Sequence, residues 1–201
     1  MVYRTTQKIE KRKEAKRNKL LNVAIRLFGK FGYHKTTVPM IVNKSNSSTG
    51  SFYFYFRNKE DIFAAALKHI DEKLSVELNK AIAMHSDPLE KMRSAVKELF
   101  LFLAGNTSEA RILLVESSGL SFHLEKIRQE IVASHTRSVE EVISKLPTRT
   151  KQGDSRVLAR CWVGAVYEAA RFWLEEPSEK RSTAQKVAED VADFNLRGLG
   201  N

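Results

Sequence analysis

Ser48-Thr49-Gly50-Ser51-Phe52-Tyr53-Phe54-Tyr55-Phe56-Arg57-Asn58-Lys59-Glu60-Asp61-Ile62 is the stretch whose reading decides the fold. The unbroken aromatic run from Phe52 to Phe56 favours a strand by propensity. A strand needs a partner to satisfy its backbone, however, and no second strand-like run lies nearby. Read as a helix, the segment puts Phe52 and Phe56 on one face, toward a core, and carries the Tyr53 and Tyr55 hydroxyls elsewhere. Asn58 then caps a further helix, with Asp61 three residues on and Glu60 also in the positive first turn.

Upstream, Leu20, Ala24, Leu27 and Phe31, with Leu21, Ile25 and Phe28 beside them, recur at helical spacing, and Gly32 supplies a stop. Thr36 or Thr37 caps a short second helix that tolerates Pro39 in its first turn and turns Val38, Ile41 and Val42 inward. Lys44-Ser45-Asn46-Ser47-Ser48 is a polar turn in which Asn46 accepts a left-handed backbone. Downstream, the helix opened by Asn58 carries Ile62, Ala65, Ala66, Leu67, Ile70 and Leu74 and runs to about Ala83. Further helices are expected over 89–104, 112–118, 121–146, 155–176 and 179–197, separated by Gly and Pro breaks. The fold class is therefore all-α, with about nine helices. A three-helix helix-turn-helix domain over 1–75 includes a basic arm at 1–19, and a larger C-terminal helical bundle occupies 76–201.

Charge supports this division. The chain carries a formal net charge of +10, from 34 Lys/Arg against 24 Asp/Glu. Residues 1–60 hold 14 Lys/Arg against only Glu10, Glu14 and Glu60, so the first third alone carries 14 − 3 = +11 and the rest −1. Such asymmetry is the footprint of a module that binds phosphate backbones, and double-stranded DNA is the partner it suits. The arm is open to two readings: a strip tracking the backbone or an adjacent groove, or a solvated helix extension. No apolar run approaches the roughly 20 residues of a bilayer span, and no apolar stretch follows the basic N-terminus as a signal would require. Cys161 is the single cysteine, which suits a reducing compartment. A cytoplasmic protein with no membrane partner is the expectation.

In order and without gaps, Ala24-Ile25-Arg26-Leu27-Phe28, Phe31-Gly32-Tyr33, Thr36-Thr37-Val38, Ile41, the 48–56 stretch and Asn58-Lys59-Glu60-Asp61-Ile62 resemble the tetracycline-repressor (TetR/AcrR) family. In the turn, that family usually has Ala, Ala, Gly and Val where this chain has Val42, Ser45, Asn46 and Ser47. The resemblance implies a DNA-binding repressor with contacts at Thr37, Lys44, Ser48, Thr49, Gly50, Ser51, Tyr53, Tyr55 and Lys59. Each type suits the task. Thr37 stands at a helix N-terminus, where free N–H groups attract phosphate. Short side chains from Ser48 to Ser51 allow close approach to the major groove. Tyr53 and Tyr55 reach phosphates or base edges, Lys59 adds charge to the next helix N-terminus, and Lys44 flanks the site. For Tyr53, core packing with the hydroxyl at the rim is the competing reading.

The helix over 155–176 is apolar nearly all round, so it must be covered on more than one side. Family members pair this helix and the last one with their symmetry mates as a four-helix bundle. The resemblance thus implies a homodimer through Gly164, Ala165, Trp173, Val187, Val191 and Phe194, and a pseudo-palindromic operator. It also implies a small-molecule effector bound among the C-terminal helices. Glu116 and Glu168 lie on apolar faces and are candidate polar contacts, although Arg171 stands ready to pair Glu168. Trp162 and Tyr167 either line a pocket or fill the core, and Cys161 is read as a buried thiol. No Cys/His metal spacing, phosphate-cradling glycine loop or nucleophile motif occurs, so neither an enzyme nor a cofactor is expected. The rival reading is a ligand-independent architectural, nucleoid-type DNA-binding protein, which would not need a second domain of this size.

Overall fold

The computed structural model describes residues 2–147 and 153–200. Met1, most of the loop between Pro147 and Gly153, Asn201 and the arm's first side chains, Arg4 among them, lie outside the described residues. All regular structure among those described is helical: α1 (Val2–Lys35), α2 (Val38–Lys44), α3 (Thr49–Tyr55), α4 (Lys59–Ala83), α5 (Pro88–Gly105), α6 (Thr107–Arg111), a π-helical turn (Ile112–Glu116), α7 (Phe122–Ser144), α8 (Ser155–Glu175) and α9 (Ala184–Gly198).

Local chemistry sets most of these boundaries. Gly32 breaks α1 at φ 79°, ψ 168°, a backbone conformation that L side chains rarely adopt. Thr37, Ser48, Asn58, Asp87, Ser121, Asp154 and Thr183 each accept a backbone N–H as N-cap of the helix that follows. Thr36 does a different job. It is buried, and its hydroxyl donates to Gly32 O at 2.8 Å.

Three boundaries differ from the sequence reading. The break before residue 112 is a single residue, Asn106, after which α6 runs straight into the π-helical turn. Residues 179–183 are not helical: Lys180 and Arg181 donate to Pro177 O in a turn, and the last helix starts at its Thr183 cap. Phe56 leaves the helix as its extended C-cap (φ −138°, ψ 126°), yet remains buried beside Phe52.

The apolar faces meet in one continuous core. Leu20, Ala24 and Phe28 of α1 close over Ile41, Phe52, Ile62 and Phe63 to make the N-terminal three-helix unit. The Phe28 ring meets Phe63 edge-on, with centroids 4.9 Å apart. Helix α4 carries the core onward through Leu67, Ile70 and Leu74 to Phe100, Leu103 and Ile112. In the C-terminal half α5 lies between α4 and α9, while α7 packs along α8. Gly29 marks a close approach between the two halves. A Cβ built there would fall 2.5 Å from Ser108 Cβ and 2.6 Å from its Cα.

One further correction concerns α8. Cys161 is exposed, as are Val157, Gly164, Glu168 and Phe172, so a full stripe of this helix is uncovered by its own chain. The opposite stripe, Ala159, Trp162, Val163, Val166, Ala170 and Trp173, is buried. On α9, Phe194 is likewise exposed, with Val187 and Val191 half-buried beside it. Trp173 moves off the candidate interface. It is buried in its own protomer against Phe100, and its indole N–H donates to Ser182 O at 2.7 Å.

Candidate nucleic-acid interface and internal cavity

The turn between α2 and α3 shows why its unusual residues fold. Ser45 is fully buried, but its hydroxyl donates to Val42 O at 3.0 Å and its N–H to Ile41 O at 2.9 Å. A buried hydroxyl with a partner carries little of the desolvation cost it would otherwise impose. Asn46 takes the left-handed conformation (φ 48°), and Ser47 N–H closes back onto Val42 O at 3.1 Å. The turn therefore compensates for its missing alanine and glycine with hydroxyl and backbone hydrogen bonds.

This turn projects α3 outward. Ser48, Thr49 and Gly50 are exposed at its N-terminus, and nothing lies within 4 Å of a Cβ built on Gly50. The Ser48 hydroxyl accepts Ser51 N–H at 3.1 Å, and Thr37 accepts Met40 N–H at 3.4 Å. Acting as acceptors in the caps, both hydroxyls keep their own protons for an outside acceptor. Tyr53 is 55% and Phe54 66% exposed, whereas Tyr55 is half-buried and packs on the core. Lys44 is exposed at the end of α2.

Lys59 is more constrained than its neighbours. Its ammonium donates to Tyr33 O at 2.9 Å, reaches His34 O at 3.4 Å, and sits 4.2 Å from the Tyr33 ring centroid. Burial shifts its pKa downward. It thus ties the N-terminus of α4 to the end of α1 beyond the Gly32 break, just before the Thr37 cap of α2. Asn58 and Asp61 complete that end of α4: Asn58 accepts Asp61 N–H at 2.8 Å, and Asp61 accepts Arg57 N–H at 3.0 Å. The arm runs past the same surface, placing Lys13 Nζ 5.8 Å from the Phe54 ring and Arg17 5.2 Å from that of Phe56.

The carboxylates singled out for a ligand do other work. Glu116 accepts Tyr33 N–H at 3.2 Å and pairs with Arg111 at 3.5 Å, and a Cβ on Gly32 would come within 2.9 Å of its Oε2. It therefore buttresses the chain where α1 breaks. Glu168 is exposed and bonded to Arg171. Neither lines the cavity of about 300 Å³ between α4, α5, α7 and α8. Trp162 and Tyr167 do, together with Leu78, Ile82, Met92 and Val139.

One wall of the cavity holds a polar chain that sequence reasoning missed. The Tyr167 hydroxyl is 2.7 Å from His135 Nδ1, and His135 Nε2 is 2.9 Å from Asp71 Oδ1, close but too bent for a well-formed hydrogen bond. Burial raises the Tyr167 pKa, and the Asp71 charge adds to it. The three residues come from α4, α7 and α8, too far apart in the sequence for any local pattern to join them.

An exposed recognition helix behind a capped turn, joined by one long helix to a bundle with an internal cavity, defines a helix-turn-helix regulator. Residues 20–66 match the model of the bacterial regulatory proteins of the tetR family. The chain is similar to the fatty acid metabolism regulator protein of Bacillus subtilis, 23% identical over 194 residues, 95% of this chain and 99% of that protein. Among solved structures it resembles the regulator FadR from Bacillus subtilis in complex with stearoyl-CoA (18% identity, TM-score 0.78, 90% of this chain and 97% of that one). AibR in complex with isovaleryl coenzyme A and operator DNA shares the fold at 19% identity and TM-score 0.73, covering 89% and 97%. Among the described residues no helix is long and apolar enough to cross a membrane.

Proposed function

We propose that the chain is a homodimeric repressor that leaves a pseudo-palindromic operator when a small molecule fills the cavity between α4, α5, α7 and α8. The observation that carries this reading is the course of α4. Its N-terminus holds Lys59 at the recognition surface, and its later turns, from Ser75 to Ile82, line the cavity. An occupant that shifts those turns moves the helix end that holds the last residues of α1. The division into a DNA-binding unit (1–75) and a sensing and dimerising unit (76–201) falls within α4, so the two share a rigid element rather than a linker.

In this reading Thr37, Lys44, Ser48, Thr49, Gly50, Ser51 and Tyr53 face DNA, with Tyr55 supporting α3 from behind and Lys59, first read as a contact, holding the end of α4 against α1 beside them. Trp162 and Tyr167 contact the effector, with His135 in place of Glu116 and Glu168. The exposed stripe of α8 (Cys161, Gly164, Phe172, with Ala165 beside it) and that of α9 (Val187, Val191, Phe194) pair with a second copy. The acyl-CoA thioesters bound by FadR and AibR make acyl thioesters the first effector class to try. The test is selection of a binding site from random duplexes, followed by titration of isovaleryl-CoA and stearoyl-CoA into the complex. Release by either supports the reading. Tight binding to every sequence with no release would favour the architectural alternative.

A further inference from the structure

The N-terminal end of α1 has no role in the core. Residues 7–19 are exposed at every position, about 20 Å of helix at the α-helical rise. They hold Lys8, Lys11, Arg12, Lys13, Lys16, Arg17 and Lys19 against Glu10 and Glu14. Among the described residues none of these cations forms an ion pair. Glu10 and Glu14, four residues apart, share one strip of the helix, and the cations occupy the rest of its circumference. Such a helix buries no apolar face and suffers self-repulsion, so its charge suits a partner outside the chain.

Its position says which partner. Lys13 lies over the exposed Phe54 ring of the recognition helix, and Arg17 over Phe56 at that helix's end. The arm is thus a continuous extension of α1 leaving the body of the protein beside α3. We infer that the arm is a second DNA-binding element, which lies along the duplex outside the half-site read by α3 and contacts phosphates of the flanking DNA without reading its bases. This inference rests on the DNA-binding reading above and adds a surface to it. Cations distributed around the helix fit a groove, where phosphates of both strands stand on either side.

The test uses the full chain and the triple variant Lys8→Gln, Arg12→Gln, Lys13→Gln. Glutamine is a good helix former and all three positions are exposed, so circular dichroism and melting should match the parent. On the selected operator, the salt dependence of binding should flatten by about 0.9 in log–log slope for each phosphate the arm no longer neutralises, or roughly 2–3 per arm. The hydroxyl-radical footprint should shorten at both outer ends while its centre persists. An unchanged slope and footprint would overturn the inference. So would loss of binding to phosphatidylserine vesicles in the variant while DNA binding stays intact, which would assign the arm to anionic membranes. If the parent protein itself binds no selected DNA, the failure lies with the repressor reading and not with the arm.

Discussion

Replacing Lys59 by methionine separates support from contact at the edge of the recognition surface. Methionine keeps the apolar stem and deletes the ammonium. The interactions removed are one short charge-assisted bond to Tyr33 O (2.9 Å), a longer one to His34 O (3.4 Å) and the stacking 4.2 Å above the Tyr33 ring. A hydrogen bond to a charged group contributes about 1.5–3 kcal/mol, and a partly exposed cation–π contact about 0.5–1 kcal/mol. Relief of the ammonium's desolvation offsets part of this, so the expected loss of stability is about 1.5–3 kcal/mol. For a chain of this length that is a fall in Tm of about 3–12 °C. DNA affinity should fall as well, because the clamp sets the end of α1 just before Thr37. Tyr53→Ala is the contrast. Tyr53 is 55% exposed, so stability should change by less than about 0.5 kcal/mol while operator binding weakens by about 1–3 kcal/mol. Thermal melts by circular dichroism and anisotropy of a labelled operator measure both quantities. A Lys59→Met protein that melts like the parent but no longer binds DNA would refute the reasoning, because the ammonium would then be free for phosphate.

Three further outcomes follow from particular residues. Gly29→Ala places a methyl 2.5–2.7 Å from Ser108 side-chain and backbone atoms, and overpacking of this kind costs about 1–3 kcal/mol; a Tm equal to the parent's would show that α1 and α6 are not held at that distance. Phe194→Glu puts a charge in the exposed α9 stripe, and sedimentation should find a folded monomer; a stable dimer would place the interface elsewhere. Burial raises the Tyr167 pKa, so above pH about 10 the unfolded phenol releases a proton that the native one keeps. Stability must then fall as pH rises through that range, and denaturant titrations of Tyr167→Phe should show a shallower alkaline decline than those of the parent.

The helix-turn-helix was legible because its determinants are local. Helical spacing from Leu20 to Phe31, the caps at Thr36 or Thr37 and at Asn58, and the left-handed Asn46 all lie within a few residues of what they stabilise. The C-terminal half was legible as helices but not as a site. Glu116 looked like a ligand contact because its partner, the backbone N–H of Tyr33, lies 83 residues away. The Asp71–His135–Tyr167 chain was invisible for the same reason. Cys161 was read as buried because α8 is apolar nearly all round, but a single chain covers only one side of that helix. The late start of α9 depends on Arg181, whose guanidinium turns back to the carbonyls of Leu174 and Glu176, each at 2.7 Å. No local pattern announces such a return.

In the proposed repressor one helix, α4, joins a sequence-specific DNA surface to an effector cavity. Operator anisotropy recorded across an acyl-CoA titration tests it most directly when run on the parent and on Val166→Trp, whose added ring would fill the cavity beside Trp162 and Tyr167. Acyl-CoA should release the parent from DNA, and the cavity-filled variant should no longer respond to it. Equal release of both proteins, or of neither, would contradict that coupling.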